Sequence, residues 1–218
     1  MSENHSEDAP QPGYWRTDPA EDVLSDLQAL CFALGAARRN NRAWKWAILA
    51  ADMLVQSALL IFNSGSTNIG AYERKDRERM WAWMDEGSRN GEPAPAEPLR
   101  VENLHGLLRL ATGPHFFRGS PPLALPASLV SQVQKMHSAV RNDLTHFKSV
   151  SWSIELAGVP AWITAALDIS EAALTQSDTH WASEDEQEEE LVHLLAVARR
   201  RLSLVDVHAP SGQKANCP

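Results

Sequence analysis

The run from Arg42 to Phe62, RAWKWAILAADMLVQSALLIF, constrains this chain more than any other segment. It is apolar nearly all round a helical wheel, which marks a central helix enclosed by others. Three polar residues interrupt it. With Ile48 set to zero and each residue turning ~100°, Lys45, Asp52 and Gln56 fall at about 60°, 40° and 80°. Buried polar groups need partners, so this narrow stripe should meet something polar. Asn63-Ser64-Gly65-Ser66 then breaks the helix.

The rest of the chain supplies the surrounding helices. Asp18-Pro19 is a cap residue followed by proline, and Val23, Leu27, Leu30 and Leu34 recur at helical spacing until Gly35, which should mark the end. A charged third helix is expected over 71–86 and a short fourth over 101–111. The fifth, 127–147, has the cleanest pattern: Leu129, Val133, Met136, Val140, Leu144 and Phe147 are spaced 4-3-4-4-3. Trp152 to Leu156 alternates, as a short extended segment would. A sixth helix is expected over 161–174. Ser183 and Glu186 have capping-box spacing, and the acidic run 184–190 suits the N-terminal end of a last helix dipole. The expected architecture is a bundle of about six to seven helices with one short extended segment, spanning 18–208. Polar tails, 1–17 and 209–218, are expected to be disordered.

Composition narrows the function. A formal net charge of -8 counts against a wide basic surface for long nucleic acid, though not against a local anion pocket. Eight Trp against two Tyr point to a filled core or an apolar interface, and Trp44/Trp46 and Trp81/Trp83 are read as core or dimer interface and not as base-stacking platforms. Cys31 and Cys217 form no framework, and no Cys/His cluster has zinc spacing. Glu102/His105 and Glu190/His193 have the Glu-x-x-His spacing of di-iron bundles, but Glu102 and His193 point away from the apolar faces of their helices. No metal and no cofactor is expected. The N-terminus has no apolar signal region, and the apolar run 47–62 is short for a membrane span. A soluble cytoplasmic protein without a membrane partner is expected.

Chemistry concentrates at the end of the fifth helix, in Val140-Arg141-Asn142-Asp143-Leu144-Thr145-His146-Phe147. Arginine holds phosphate through a fixed fork of donors, and histidine moves protons near neutral pH. Spacing alone is weak, because Arg100 and His105 match it too. Arg141 and His146 flank the apolar stripe on opposite sides, which also fits a solvated helix face with a dipole-favoured histidine. Asp52 either orients Arg141 or His146, or is a buried carboxylate held by Lys45 or hydroxyls. His137, one turn before Arg141, either lines the same pocket or is a surface histidine.

Met136-His137 through Phe147, followed by Trp152-Ser153-Ile154-Glu155-Leu156-Ala157-Gly158-Val159-Pro160, resembles the signature helix of the HEPN superfamily (higher eukaryotes and prokaryotes nucleotide-binding). Trp44-Lys45-Trp46-Ala47 to Gln56-Ser57-Ala58-Leu59 is similar to the long helix of an uncharacterised bacterial group within it. The resemblance implies a HEPN-like bundle that forms a homodimer and pairs two signature helices. It implies a metal-independent endoribonuclease of a toxin-antitoxin or other defence system, with RNA as substrate and an antitoxin protein as a further partner. The alternative it carries is a non-catalytic RNA- or nucleotide-binding or dimerisation module. By the same resemblance Arg141 holds the scissile phosphate, His146 is the general acid or base, and Asn142 is the polar residue of active members. Lys148, His137 and Asp52 are the expected substrate-binding residues. Lys148 stands where antitoxin-modified members carry tyrosine, so adenylylation at that position is not expected.

Overall fold

The computed structural model describes residues 18–65, 67, 69–95, 99–114, 121–140, 155–177 and 185–205. These form an all-α bundle of seven α-helices: α1 (Pro19–Ala37), α2 (Ala43–Ser64), α3 (Arg74–Ala82), α4 (Leu104–Thr112), α5 (Ala127–Ala139), α6 (Val159–Thr175) and α7 (Asp185–Ser203). The apolar run does become the central helix. α2 packs against α1, α4, α5 and α6, while α7 lies on α1 and α6. Ile48, Leu54, Leu59 and Phe62 of α2 are buried with Leu27, Leu30 and Leu34 of α1 and Ile163, Leu167 and Ile169 of α6. By length and composition α2 could also cross a membrane, but 67% of its most apolar window is packed inside the bundle.

Local chemistry explains most of the ends. Asp18 caps α1 by accepting from the Ala20 and Glu21 amides at 2.8 and 3.0 Å, with Pro19 in the first turn. Pro19 has no N–H, so two of the three otherwise unpaired amides are thereby satisfied. Asn103 caps α4 by accepting from the Gly106 amide at 3.1 Å. Gly65, at φ 62, follows α2.

Several expected boundaries move, each for a tertiary reason. α1 runs past Gly35 to Ala37. That glycine serves close packing rather than termination: the Arg201 guanidinium sits 3.4 Å from where its Cβ would be, and Arg201 Nη1 donates to the Cys31 carbonyl at 2.5 Å. The third and fourth helices both start three residues late because 71–73 and 100–102 pair with each other. Tyr72 and Val101 form an isolated antiparallel bridge, flanked by Glu73 N to Arg100 O at 2.7 Å and Glu102 N to Ala71 O at 3.0 Å. α3 closes in a π turn, Trp83–Gly87. Leu156 is not extended but opens a 3₁₀ turn, Leu156–Gly158, that leads into α6. Glu155 just before it is extended, at φ -70 and ψ 112, and the rest of the expected extended segment, 152–154, lies outside the described residues, as do Ser183 and both tails.

Buried polar groups pin the helices in register. Asn63 Nδ2 donates to Leu59 O within α2 at 2.8 Å and to Leu107 O of α4 at 3.0 Å. Gly70 makes a tight approach to the end of α2: a Cβ there would lie 2.0 Å from Asn63 O. On the far side of α2, Ser57 Oγ donates to Asp26 Oδ2 of α1 at 3.1 Å. Burial pushes the Asp26 carboxyl up to about 6; the Ser57 bond pulls the other way and neighbouring Asp22 adds to the rise.

Candidate functional site

The polar stripe on α2 meets α5 at His137. Nδ1 of His137 lies 2.9 Å from Asp52 Oδ1 and 3.3 Å from Oδ2. One turn along α2, Gln56 Nε2 donates to Asp52 Oδ2 at 2.8 Å and to the Asp52 carbonyl at 3.2 Å. The His137 and Asp52 side chains are 12% and 5% exposed. The i, i+4 spacing of Asp52 and Gln56 puts both on one helix face, which is why the pair can share a partner from another helix.

The carboxylate fixes how the imidazole is used. An ionised carboxylate only accepts, so Nδ1 carries the hydrogen that faces Asp52. Nε2 is then the nitrogen left for a ligand or a proton. A carboxylate that holds an imidazole in one tautomer and orientation is a recurring device in acid-base catalysis. On the other flank, the His105 ring of α4 stands edge-on to His137, with centroids 5.6 Å apart and planes at 68°. His105 is exposed at the start of α4, so the buried pair lies directly behind a surface histidine.

Of the residues singled out in the sequence, Asp52 and His137 are therefore in direct contact. Arg141, Asn142, His146 and Lys148 lie outside the described residues, which here stop at Val140, the residue after α5. Two of the alternatives left open are corrected. His137 is not a surface histidine, because it fills the gap between α5 and the Asp52 face of α2. Asp52 is not held by Lys45, whose Nζ instead lies 5.5 Å from the ring centre of Trp46. The tryptophan pairs also divide. Trp44 is core at 2% exposed, but Trp46 is 62% exposed and Trp81 39%. Trp83 directs Nε1 to Glu92 O at 3.0 Å.

His105 is the residue that sequence reasoning missed at this site. Its spacing from Arg100 and Glu102 drew attention, but its contact with His137 joins α4 to α5 across a long stretch of chain, and no local pattern encodes that. Gln56 was legible as part of the α2 stripe, though its partner was not. Glu102, the other half of that spacing, accepts from Arg109 Nη2 at 3.3 Å. Among the described residues no three His, Cys, Asp or Glu side chains gather as a metal-binding group.

The arrangement can orient one imidazole, present its Nε2 and transfer a proton. Cutting a phosphodiester also requires a group to stabilise phosphate charge. Comparison with family models, with curated protein sequences and with solved structures gave no match for this chain.

Proposed function

We propose that this chain is a metal-independent endoribonuclease of the HEPN type, acting in the cytoplasm as a homodimer in a bacterial stress or defence system. The observation that carries the reading is the contact between buried Asp52 and partly buried His137 near the end of α5. His137 stands four residues before Arg141 in the chain, so an oriented imidazole adjoins the motif with the arginine and second histidine that the reaction needs.

In this reading the fork of Arg141 binds the scissile phosphate and balances its growing charge. The RNA 2'-hydroxyl attacks the adjacent phosphorus; the new O–P bond forms as the bond to the 5'-oxygen breaks. One proton leaves the 2'-hydroxyl and one is delivered to the departing oxygen. His146 carries one of these transfers. His137, steadied by Asp52, turns Nε2 toward the substrate, and Asn142 and Lys148 contribute polar contacts. The products are a 2',3'-cyclic phosphate and a free 5'-hydroxyl.

One observation favours a second reading. Both Asp52 oxygens are engaged, by His137 and Gln56, so the pair also serves as a polar lock between α2 and α5. In a non-catalytic RNA- or nucleotide-binding or dimerisation module it would do nothing more.

The test is RNA cleavage in chelator by wild type, His146→Ala and His137→Ala, with analysis of product termini. The expected result is chelator-resistant cleavage that leaves a 2',3'-cyclic phosphate and falls ~10²-fold or more in His146→Ala. Equal cutting by that variant refutes the assignment. No cutting of several RNA pools favours the module.

A further inference from the structure

We infer that the turn between α1 and α2 is a docking surface for single-stranded RNA, which delivers the strand along the open face of α2 to the Asp52–His137 pair. The choice of RNA as the strand rests on the function proposed above; the surface itself rests on charge and exposure.

The chain has 28 acidic residues in 218, a density that would place roughly three in any 25-residue stretch. Residues 27–51 have none, yet they contain Arg38, Arg39, Arg42 and Lys45. The three arginines are exposed, and no ion pair joins any of the four to an acidic group among the described residues. Tertiary structure adds to them. α7 runs parallel to α1, as the pairings of Gln28 with Glu190, Cys31 with Leu194 and Cys31 with Arg201 require. The last turn of α7, with Arg200 and Arg201, therefore lies beside the last turns of α1. Six cations gather at this pole, while Glu21, Asp22 and the acidic start of α7 lie at the opposite one.

Helix dipoles account for only part of this. Arg38 and Arg39 after α1, and Arg200 and Arg201 in α7, sit at helix C-termini, where cations are favoured. Arg42 and Lys45 sit at the N-terminus of α2, where they are opposed. Arg42 occupies the N-cap position without a capping side chain, and the first turn of α2 has no acid. Lys45 has a return in its place 5.5 Å from the Trp46 ring centre, whereas Arg42 makes no ion pair among the described residues, and a residue that breaks a local rule without a structural return marks a place shaped by something else. The turn itself is well held: the Arg42 amide donates to Asn40 Oδ1 at 3.0 Å and the Ala43 amide to Asn40 O at 2.9 Å.

An unpaired strand is the polyanion that fits. Single-strand sites combine cations along the backbone with aromatic rings on which bases stack. Trp46, 62% exposed, stands one residue past Lys45, and Met53, 55% exposed, continues the same face of α2. Lys45 and Asp52 share one stripe seven residues apart, about 10 Å along the axis at ~1.5 Å per residue. A strand anchored at the turn thus comes level with the Asp52–His137 pair within a few nucleotides. A bipolar, net acidic protein repels a long duplex but tolerates a short strand at its basic pole.

The experiment is fluorescence anisotropy with a labelled 15-nucleotide 2'-O-methyl RNA, which lacks the attacking hydroxyl and so reports binding independently of cleavage. The full chain is compared with Arg38→Gln/Arg39→Gln/Arg42→Gln, with Trp46→Ala and with a control, Arg74→Gln/Arg89→Gln, drawn from exposed cations outside the pole. The triple variant should bind about tenfold or more weakly at low salt, and its slope of log K against log salt should fall by ~2, the release expected from three single-strand phosphate contacts. Trp46→Ala should weaken binding about fivefold, and the control should match wild type within about twofold. Unchanged binding by the triple variant, or equal loss in the control, overturns the surface and leaves the cleavage reading to its own assay. No binding by wild type, equal affinity for a duplex, or binding only to vesicles of anionic lipid overturns the single-strand assignment.

Discussion

Asp26→Asn should make this protein more stable at pH 8 and leave its stability almost unchanged near pH 3.5. Asp26 is buried between α1 and α2, and its carboxyl titrates at about 6 rather than the usual 3.8. The folded state therefore keeps a proton that the unfolded chain gives up. Below 3.8 both states hold it, and the favourable contribution is fully present. As pH rises toward 6 the unfolded state loses its proton first, so stability falls through this window and levels off above it. At ~1.36 kcal/mol per pH unit, the gap between 3.8 and about 6 gives an upper bound of ~3 kcal/mol. Solvent reaches part of the carboxyl and screens it, which brings the expectation to about 1–1.5 kcal/mol. Asparagine is neutral throughout and can still accept the Ser57 hydroxyl. The assay is urea unfolding of wild type and variant from pH 3.5 to 8. The quantity that matters is the difference between the two, because every other titrating group cancels. A difference that grows by about 1–1.5 kcal/mol between pH 4 and 6.5 supports the argument. A difference that is flat with pH, or of opposite trend, refutes it whatever its mean value.

Two further perturbations test the fold around α2. Asn63→Ala removes the donor that Leu59 O and Leu107 O share and with it the buried polar tie between α2 and α4; both carbonyls keep their places in their own helices, so a loss of about 0.5–1.5 kcal/mol in urea unfolding is expected. Gly70→Ala drives a Cβ to 2.0 Å from the Asn63 carbonyl, so backbone must move, and a loss of about 2 kcal/mol or more is expected, read as a lower thermal midpoint.

How much could be read in advance depended on how far apart the interacting residues lie. The seven helices were largely legible because each carries its own amphipathic period and several carry their own caps, as at Asp18. The misjudged ends were those decided by distant chain. Gly35 looks like a stop in isolation, yet it is a seat for Arg201 of α7. Ala71 and Val101 look helical, yet backbone pairing between their segments delays both helices. At the site, the sequence marked Asp52 as a buried charge in need of a partner and marked His137 by its distance from Arg141. It gave no means of joining them, since residues 85 positions apart share no periodicity.

Sequence by itself thus determined that α2 is central and that its stripe must be satisfied, because burial of an apolar cylinder and the cost of unpaired polar groups are properties of the segment alone. Only the tertiary structure decided what satisfies it. The packing of α5 across α2 chose His137 over Lys45, the packing of α4 set His105 edge-on to that ring, and the parallel course of α1 and α7 added Arg200 and Arg201 to the four cations already clustered in the sequence around the α1–α2 turn. Each of these depends on which helix lies beside which, and that is set by the shared core rather than by any one helix's pattern.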